Sequence, residues 1–561
     1  MKSILYSLLL LLIPVFTLFS QETDVFHGRP EVFFSFNLQD NEEITILSKT
    51  VSIDRFFPET GQGQAYANKQ EWNAFLGLDI PYKIETPPSM QVKDLKMKDN
   101  VNIREISDWN FYPTYDAYID IMEQFATDFP EICEVFSIGT SVQGRQIMMA
   151  RITDNPGVRE AEPQFLYTSS MHGDELTGYV LMLHLIDHLL TNYGTDPRIT
   201  GLIDGVEIWI NPLANPDGTY AGGNQSVYGA TRYNSLGVDI NRNFPDPEDG
   251  PHPDGNEWQK ETEVFMALAE ANHFVSSCNI HGGAEVCNYP WDTWAKLSAD
   301  DNWWVYVCRE YADTVHEYGP PGYMNFMNNG ITNGYTWYTI SGGRQDYMNY
   351  FHQCREFTLE ISDDKTPPAS QLNNFWEYNY RSFLNYIDQN TFGLRGTVTD
   401  ADSGEPLVAE VFVLNHEEDS SWVYSDVANG NYHRLLFEGT WDVRFRVPGY
   451  YPQTFQDVIV NNREATVLDV QMIWMFSVTD EPDQGKISVY PNPVTSGYFI
   501  LTSEDEIDRV ILTTLSGKTI KEWEGNHSNR ITLNTEDIAE SAYILRVISD
   551  KRMITGKILI R

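Results

Sequence analysis

The feature that most constrains this chain is a change of pattern near residue 393. Between residues 105 and 392, short apolar runs alternate with stretches at helical spacing. Phe165 to Ser169 and Val206 to Ile210 read as strands, and Tyr115 to Phe125 and Tyr179 to Leu190 read as helices. That alternation predicts an α/β domain, and in such sheets the sites lie at the carboxyl ends of the strands. From 393 to 475 only strand patterns remain: Leu394 to Val398, Ala409 to Leu414, Tyr432 to Leu436 and Trp441 to Val447, with Gly, Asn and Asp turns between them. A small β-sandwich fits. Residues 476–561 hold a second β module, in which Ile487-Ser488-Val489-Tyr490-Pro491-Asn492-Pro493 opens the first strand.

The 561 residues exceed what one hydrophobic core organises, so several domains are expected. Lys2, an apolar run from Ile4 to Phe19 and the step Ser20-Gln21-Glu22 have the layout of a secretory signal peptide over residues 1–20. The run is shorter than the roughly 20 apolar residues a spanning helix needs. No other segment is apolar enough, so the mature protein is expected to carry no transmembrane segment. Residues 21–104 combine apolar stretches (Val32 to Phe36, Ile44 to Leu47) with a connector that opens Thr86-Pro87-Pro88-Ser89 and continues Lys/Asp-rich to Asn100. This reads as an α+β module and a linker. Its place ahead of the chemistry makes it a candidate pro-segment. A net charge of -42 argues against a nucleic-acid partner, which needs clustered Lys and Arg. Export permits disulfides, yet five cysteines leave at least one thiol over, and none shows CxxC spacing.

Four elements carry chemistry. His172-Gly173-Asp174-Glu175 follows the run at Phe165, and a His and a Glu three apart can face one ion from a strand-to-helix turn. Alone the pair is weak, because acidic residues are common here. Asn279-Ile280-His281-Gly282-Gly283 offers a second imidazole; by itself it reads more readily as a hydrogen-bonded core histidine. Two His, one Glu and an open fourth position make a hydrolytic zinc site. Arg232 and Arg242 flank Val238-Asp239-Ile240-Asn241, and two guanidinium groups near a metal can clamp a carboxylate, though paired structural arginines look the same in sequence. Glu360 interrupts the apolar run Phe357-Thr358-Leu359-Glu360-Ile361. A carboxylate so placed is either paired with a cation or catalytic.

Together with Asn215-Pro216-Asp217-Gly218, Asn288-Tyr289-Pro290-Trp291-Asp292, Gly330-Ile331-Thr332-Asn333-Gly334, Trp337-Tyr338 and Ser341-Gly342-Gly343-Arg344-Gln345-Asp346-Tyr347, these stretches resemble the zinc metallocarboxypeptidases, in the branch of carboxypeptidases E, N and D. The matches run in family order across about residues 105 to 390. The resemblance implies a catalytic domain at 105–392 with a mixed central sheet flanked by helices, a transthyretin-like β-sandwich at 393–475 and one zinc ion. By position, His172, Glu175 and His281 resemble the zinc ligands, and Glu360 the general base. Arg232 resembles the arginine that stabilises the oxyanion, and Asn241 and Arg242 the pair that binds the terminal carboxylate of a peptide or protein. Tyr338 resembles the tyrosine that closes over that carboxylate. Asp292 and Gln345 hold the places that bind basic side chains in this branch, so a Lys or Arg preference is implied. Arg344 departs from the uncharged residue common there and would neutralise Asp292 if it turned inward. Asp174 departs from the usual Asn or Arg, which puts a helper contact to substrate in question. The module at 476–561 resembles the β-sandwich sorting domain of the type IX secretion system, from the Val489 to Pro493 opening, Leu515-Ser516-Gly517-Lys518 and Tyr543 to Val547. That implies a partner in the type IX machinery, and a secreted or cell-surface protein passing the periplasm and outer membrane of a Gram-negative bacterium.

Overall fold

A computed structural model describes residues 24–40, 43–475, 487–515, 517–549 and 553–561. The expected signal peptide lies outside these residues. The chain forms two compact units. One holds the described residues up to Thr397 with 410–444 and 455–469; the other holds 398–409, 445–454 and the described residues from Val470 on.

The first unit begins with a small α+β module: β1 (Val32–Asn37), α1 (Glu43–Ser48), β2 (Ser52–Phe57), β3 (Gln62–Ala67), α2 (Lys69–Leu76) and β4 (Tyr82–Ile84). Its strands lie in the order β2-β3-β1-β4. Alternate residues of β1 explain its two faces. Val32, Phe34 and Phe36 join Leu47, Trp72 and Phe75 in a core, whereas Phe33 packs on Tyr66 and Tyr233. Asn68 and Glu71 form a capping box that starts α2.

Behind it stands an eight-stranded mixed sheet: β5 (Cys133–Thr140), β6 (Gln146–Ile152), β7 (Gln164–Ser169), β8 (Glu207–Asn211), β9 (Phe274–His281), β10 (Glu285–Tyr289), β11 (Ile331–Asn333) and β12 (Arg355–Ile361). The order is β11-β10-β12-β9-β7-β8-β6-β5, and β8, β7, β9 and β12 run parallel at its centre. The strand side chains divide by parity. Phe165, Tyr167, Ile208, Ile210 and Cys278 share one core with helices α3 (Tyr115–Asp128), α4 (Thr177–Asn192), α6 (Asp301–Tyr318) and α8 (Leu372–Asp388). Leu166 and Trp209 enter a second core on the opposite face, with α5 (Lys260–Ala271) and α7 (Arg344–His352). The central strands are covered on both faces and nearly every residue in them is buried, as in a parallel sheet packed on both sides.

From residue 393 onward only strands recur, the first being Gly393–Asp400, and they form two four-stranded sheets up to Met472. In the second unit a five-stranded sheet, Ile487–Tyr490 through Met553–Ile560, carries its own core around Phe499, Leu512 and Leu545. No helix among the described residues is long and apolar enough to cross a membrane. All five cysteines are buried and unbridged.

Candidate metal centre and substrate pocket

The site sits at the carboxyl ends of the parallel strands. His281 ends β9 and is the register partner of Glu360 on β12. His172 follows β7 in a turn that Ser170 enters with φ +55°. Ser170 Oγ donates to the Glu175 carbonyl at 2.7 Å, which closes the turn and turns Glu175 back toward His172. Gly173 is required by space: a Cβ there would lie 2.4 Å from the backbone of Gly218.

Three side chains from these two places converge. Nδ1 of His172 is 3.0 Å from Glu175 Oε1, Nδ1 of His281 is 2.9 Å from Glu175 Oε2, and the two Nδ1 atoms are 3.0 Å apart. Zinc at about 2.0–2.1 Å from each nitrogen would set tetrahedral donors roughly 3.3 Å apart, so the spacing suits one small ion. The chemistry of the donors agrees. His172 Nε2 lies 3.0 Å from Asp239 Oδ1, and a carboxylate that accepts the Nε2 proton leaves Nδ1 as a lone pair. Burial lowers the pKa of His281 to about 4, which favours its neutral, ligating form.

Cations from elsewhere in the chain offset part of the charge around the three. Arg232 Nε donates to Asp239 Oδ2 at 3.0 Å, and Arg232 Nη1 is 3.6 Å from Glu175 Oε1. Lys365 Nζ is 3.1 Å from Glu175 Oε1 and 3.5 Å from Asp174 Oδ2. The N-terminal module reaches in as well. Asp54 pairs with Lys365 and lies 3.8 Å from Arg232, Ser52 Oγ donates to Asp239 at 2.7 Å, and Tyr66 Oη donates to Asp174 at 2.8 Å. Asp174 is therefore committed to Tyr66 and Lys365. Glu360 stands beside this group with Oε2 buried and unpartnered; burial and the nearby Glu175 hold its carboxyl well above the usual range.

The residues expected to bind substrate lie near this group, Tyr338 being within electrostatic reach of Arg242, Glu360, Arg232 and Asp292. Arg242 donates Nη1 to the Asn241 carbonyl at 2.8 Å, and its Nε is buried without a partner. Asn241 Oδ1 accepts from Arg344 N. Tyr338 is buried and packs in one cluster with Trp337, Ile340 and the module's core. Asp292 is buried, accepts from Asn288 Nδ2 at 3.0 Å, and has its pKa raised to about 6, chiefly by burial. Gln345 Oε1 accepts from Thr358 N, and its buried amide lies close enough to Asp292 to favour that residue's charged form. Arg344 does not turn toward Asp292. Its Nε and Nη2 form a buried two-point pair with Glu356 at 3.0 and 2.8 Å, so the suspected neutralisation is absent.

Sequence reasoning assigned no role to Asp239, Lys365 or Asp54. Asp239 was findable, since it stands two residues before Asn241 in an otherwise apolar and amide run. Lys365 and Asp54 carried no local signal, because their importance comes only from the fold.

The zinc carboxypeptidase family profile matches residues 118–382, the carboxypeptidase regulatory-like domain matches 393–473, and a secretion system C-terminal sorting domain matches 488–561. The chain is 35% identical over 427 residues to carboxypeptidase D of Anas platyrhynchos, covering 71% of this chain and 29% of that protein. It thus spans under a third of that relative. It is 33% identical over 425 residues to the carboxypeptidase N catalytic chain of Mus musculus, covering 68% of this chain and 91% of that one. Carboxypeptidase A from Helicoverpa armigera resembles it in fold, with a TM-score of 0.51 at 17% identity, over 64% of this chain and 97% of that structure. Arranged as the geometry and these matches require, the chain belongs to the zinc carboxypeptidase family, with a regulatory-like domain and a secretion sorting domain following in sequence.

Proposed function

We propose that the chain is a secreted metallocarboxypeptidase that hydrolyses the last peptide bond of its substrates and prefers C-terminal Lys or Arg. The observation that carries this is the convergence of His172, Glu175 and His281 beside Arg242, whose Nε lacks a partner. Zinc held by those three side chains would supply a Lewis acid and lower the pKa of a water it binds. Arg242 and Asn241 bind the terminal carboxylate, and an internal peptide bond brings none. Arg232 polarises the scissile carbonyl and stabilises its developing negative charge. Glu360 takes a proton from the attacking water and delivers it to the leaving amine. Tyr338 closes over the carboxylate.

The preference for basic residues rests on charge. Asp292 is buried, accepts from the neutral amide of Asn288, and has no close ion pair among the described residues, the Arg242 guanidinium offsetting its charge only in part. A buried carboxylate without a close ion pair is costly, and a Lys or Arg side chain of the substrate supplies one. Blocking the C-terminus of a good substrate as an amide tests the exopeptidase reading. We expect kcat/KM to fall by roughly 100-fold or more; equal cleavage would point to an endopeptidase.

The module at 21–104 is proposed as a pro-segment. Asp54 and Ser52 engage Lys365, Arg232 and Asp239, so substrate reaches Arg232 only once the module is displaced. Limited proteolysis in the linker at residues 86–100 should raise activity; unchanged activity would remove this role. The sorting domain supports export through the type IX route to the cell surface or medium.

A further inference from the structure

We infer that Gly334 is the positioning residue that lets Asp292 serve as the pocket's charge. The inference rests on the reading of Asp292 as the determinant of basic preference.

Gly334 opens a short helix, Gly334–Trp337, just after β11. Two usual reasons for a glycine do not apply. Gly334 is absent from the positive-φ glycines, so its backbone conformation is open to any residue. It ends no helix; Asn333 caps this one by accepting from Thr336 N. The reason is space. A Cβ at 334 would fall 1.7 Å from Asp292 Oδ1 and 2.8 Å from both Asp292 Cγ and Asn288 Oδ1. Gly343, on the other side, leaves an ordinary 3.6 Å to Asp292 Oδ2. Only at 334 does a single methyl compete with the carboxylate for its place.

Asp292 cannot relieve such a contact by a backbone shift, because the two segments are tied. Asn333 Nδ2 donates to the Pro290 carbonyl at 3.0 Å, Tyr335 N to the Trp291 carbonyl at 2.8 Å, and Ile340 N to the Asp292 carbonyl at 3.2 Å. Asp292 N and Thr293 N are held in turn by Asp346 at 2.8–3.1 Å. The carboxylate alone is left to move, and moving breaks its bond with Asn288. The same stitched segment runs on to Tyr338, so Gly334 sets the charged wall of the pocket beside the residue that closes it.

The test is Gly334→Ala in the secreted chain, processed in the same way as the parent, with peptides ending in Arg or Leu. We expect kcat/KM on the Arg peptide to fall roughly 10- to 100-fold, mainly through KM, with the Leu peptide changed by less than about threefold. In an Asp292→Asn background the same substitution should add little, since the charge it displaces is gone. A crystal structure of Gly334→Ala should show Asp292 rotated off Asn288. Equal loss on both peptides, or an unchanged ratio with Asp292 in place, overturns the inference while leaving the pocket reading intact. A parent chain that does not favour Arg over Leu overturns both.

Discussion

Two groups of buried carboxylates lie in one catalytic domain and are neutralised in opposite ways. Around the imidazoles, Glu175, Asp174, Asp54 and Asp239 are met by Lys365 and Arg232. In the pocket, Asp292 is bound by an amide side chain, Asp346 by the backbone N–H groups of residues 292 and 293, and Asp246 by backbone N–H groups and the Thr293 hydroxyl. Arg344, the cation nearest in sequence to Asp346, is spent on Glu356. The first group is held in a fixed geometry by ion pairs within the chain, its four carboxylates meeting two cations. The second is met mainly by neutral donors, the arrangement on which the proposed preference for a cationic ligand rests. A site for catalysis needs the first arrangement; a site for discrimination gains from the second.

The largest expected effect separates chemistry from binding. Glu360→Gln should lower kcat by about 1,000-fold or more while zinc content, measured on the purified protein, stays at that of the parent. Substantial residual turnover would move the base elsewhere.

Next, Asp292→Asn should reduce kcat/KM on C-terminal Arg by roughly 10- to 100-fold and hardly affect C-terminal Leu. An unchanged ratio would show that the second group does not read charge. The pH dependence sharpens the same point. Asp292 has a pKa of about 6, so it is charged above that pH and neutral below it. The Arg-to-Leu ratio should therefore fall several-fold as pH drops from 7 to 5, up to about tenfold per unit. A ratio flat across that window would contradict the assignment.

The smallest effect is on stability, and it should have opposite signs in the two groups. Asp239→Asn removes Arg232's shortest ion pair, leaving Glu175 at 3.6 Å and Asp54 at 3.8 Å, and should destabilise by about 3 kcal/mol. Asp292→Asn removes a buried charge that forms no close ion pair among the described residues and is only partly offset by the Arg242 guanidinium. The folded pKa of about 6 exceeds the ordinary 3.8, so the cost of that charge is present above pH 6 and fades as pH falls toward 4. Thermal unfolding should thus find Asp292→Asn neutral or stabilising at pH 7, and less so at pH 5. Destabilisation like that of Asp239→Asn would mean the groups do not differ.

The fold class was legible because the switch from alternating strands and helices to strands alone is a large, regular signal. The convergence of His172, Glu175 and His281 was suggested by their places after strand-like runs, since parallel strands deliver their carboxyl ends to one edge. The N-terminal module's reach into the site was not legible. Asp54 lies in the ordinary-looking strand Ser52–Phe57, and its contacts with Lys365 and Arg232 are separated from it by more than 170 residues. The direction of Arg344 was equally hidden. A sequence gives its neighbours along the chain, while Glu356 meets it only when α7 packs on β12.

The most direct measurement is release of the last residue from short peptides that differ only there, with and without a metal chelator. We expect Arg and Lys to be cleaved at least tenfold faster than Leu, and no residue to be released once the metal is removed. Equal rates across the panel, or release that persists in the chelator, would contradict the account.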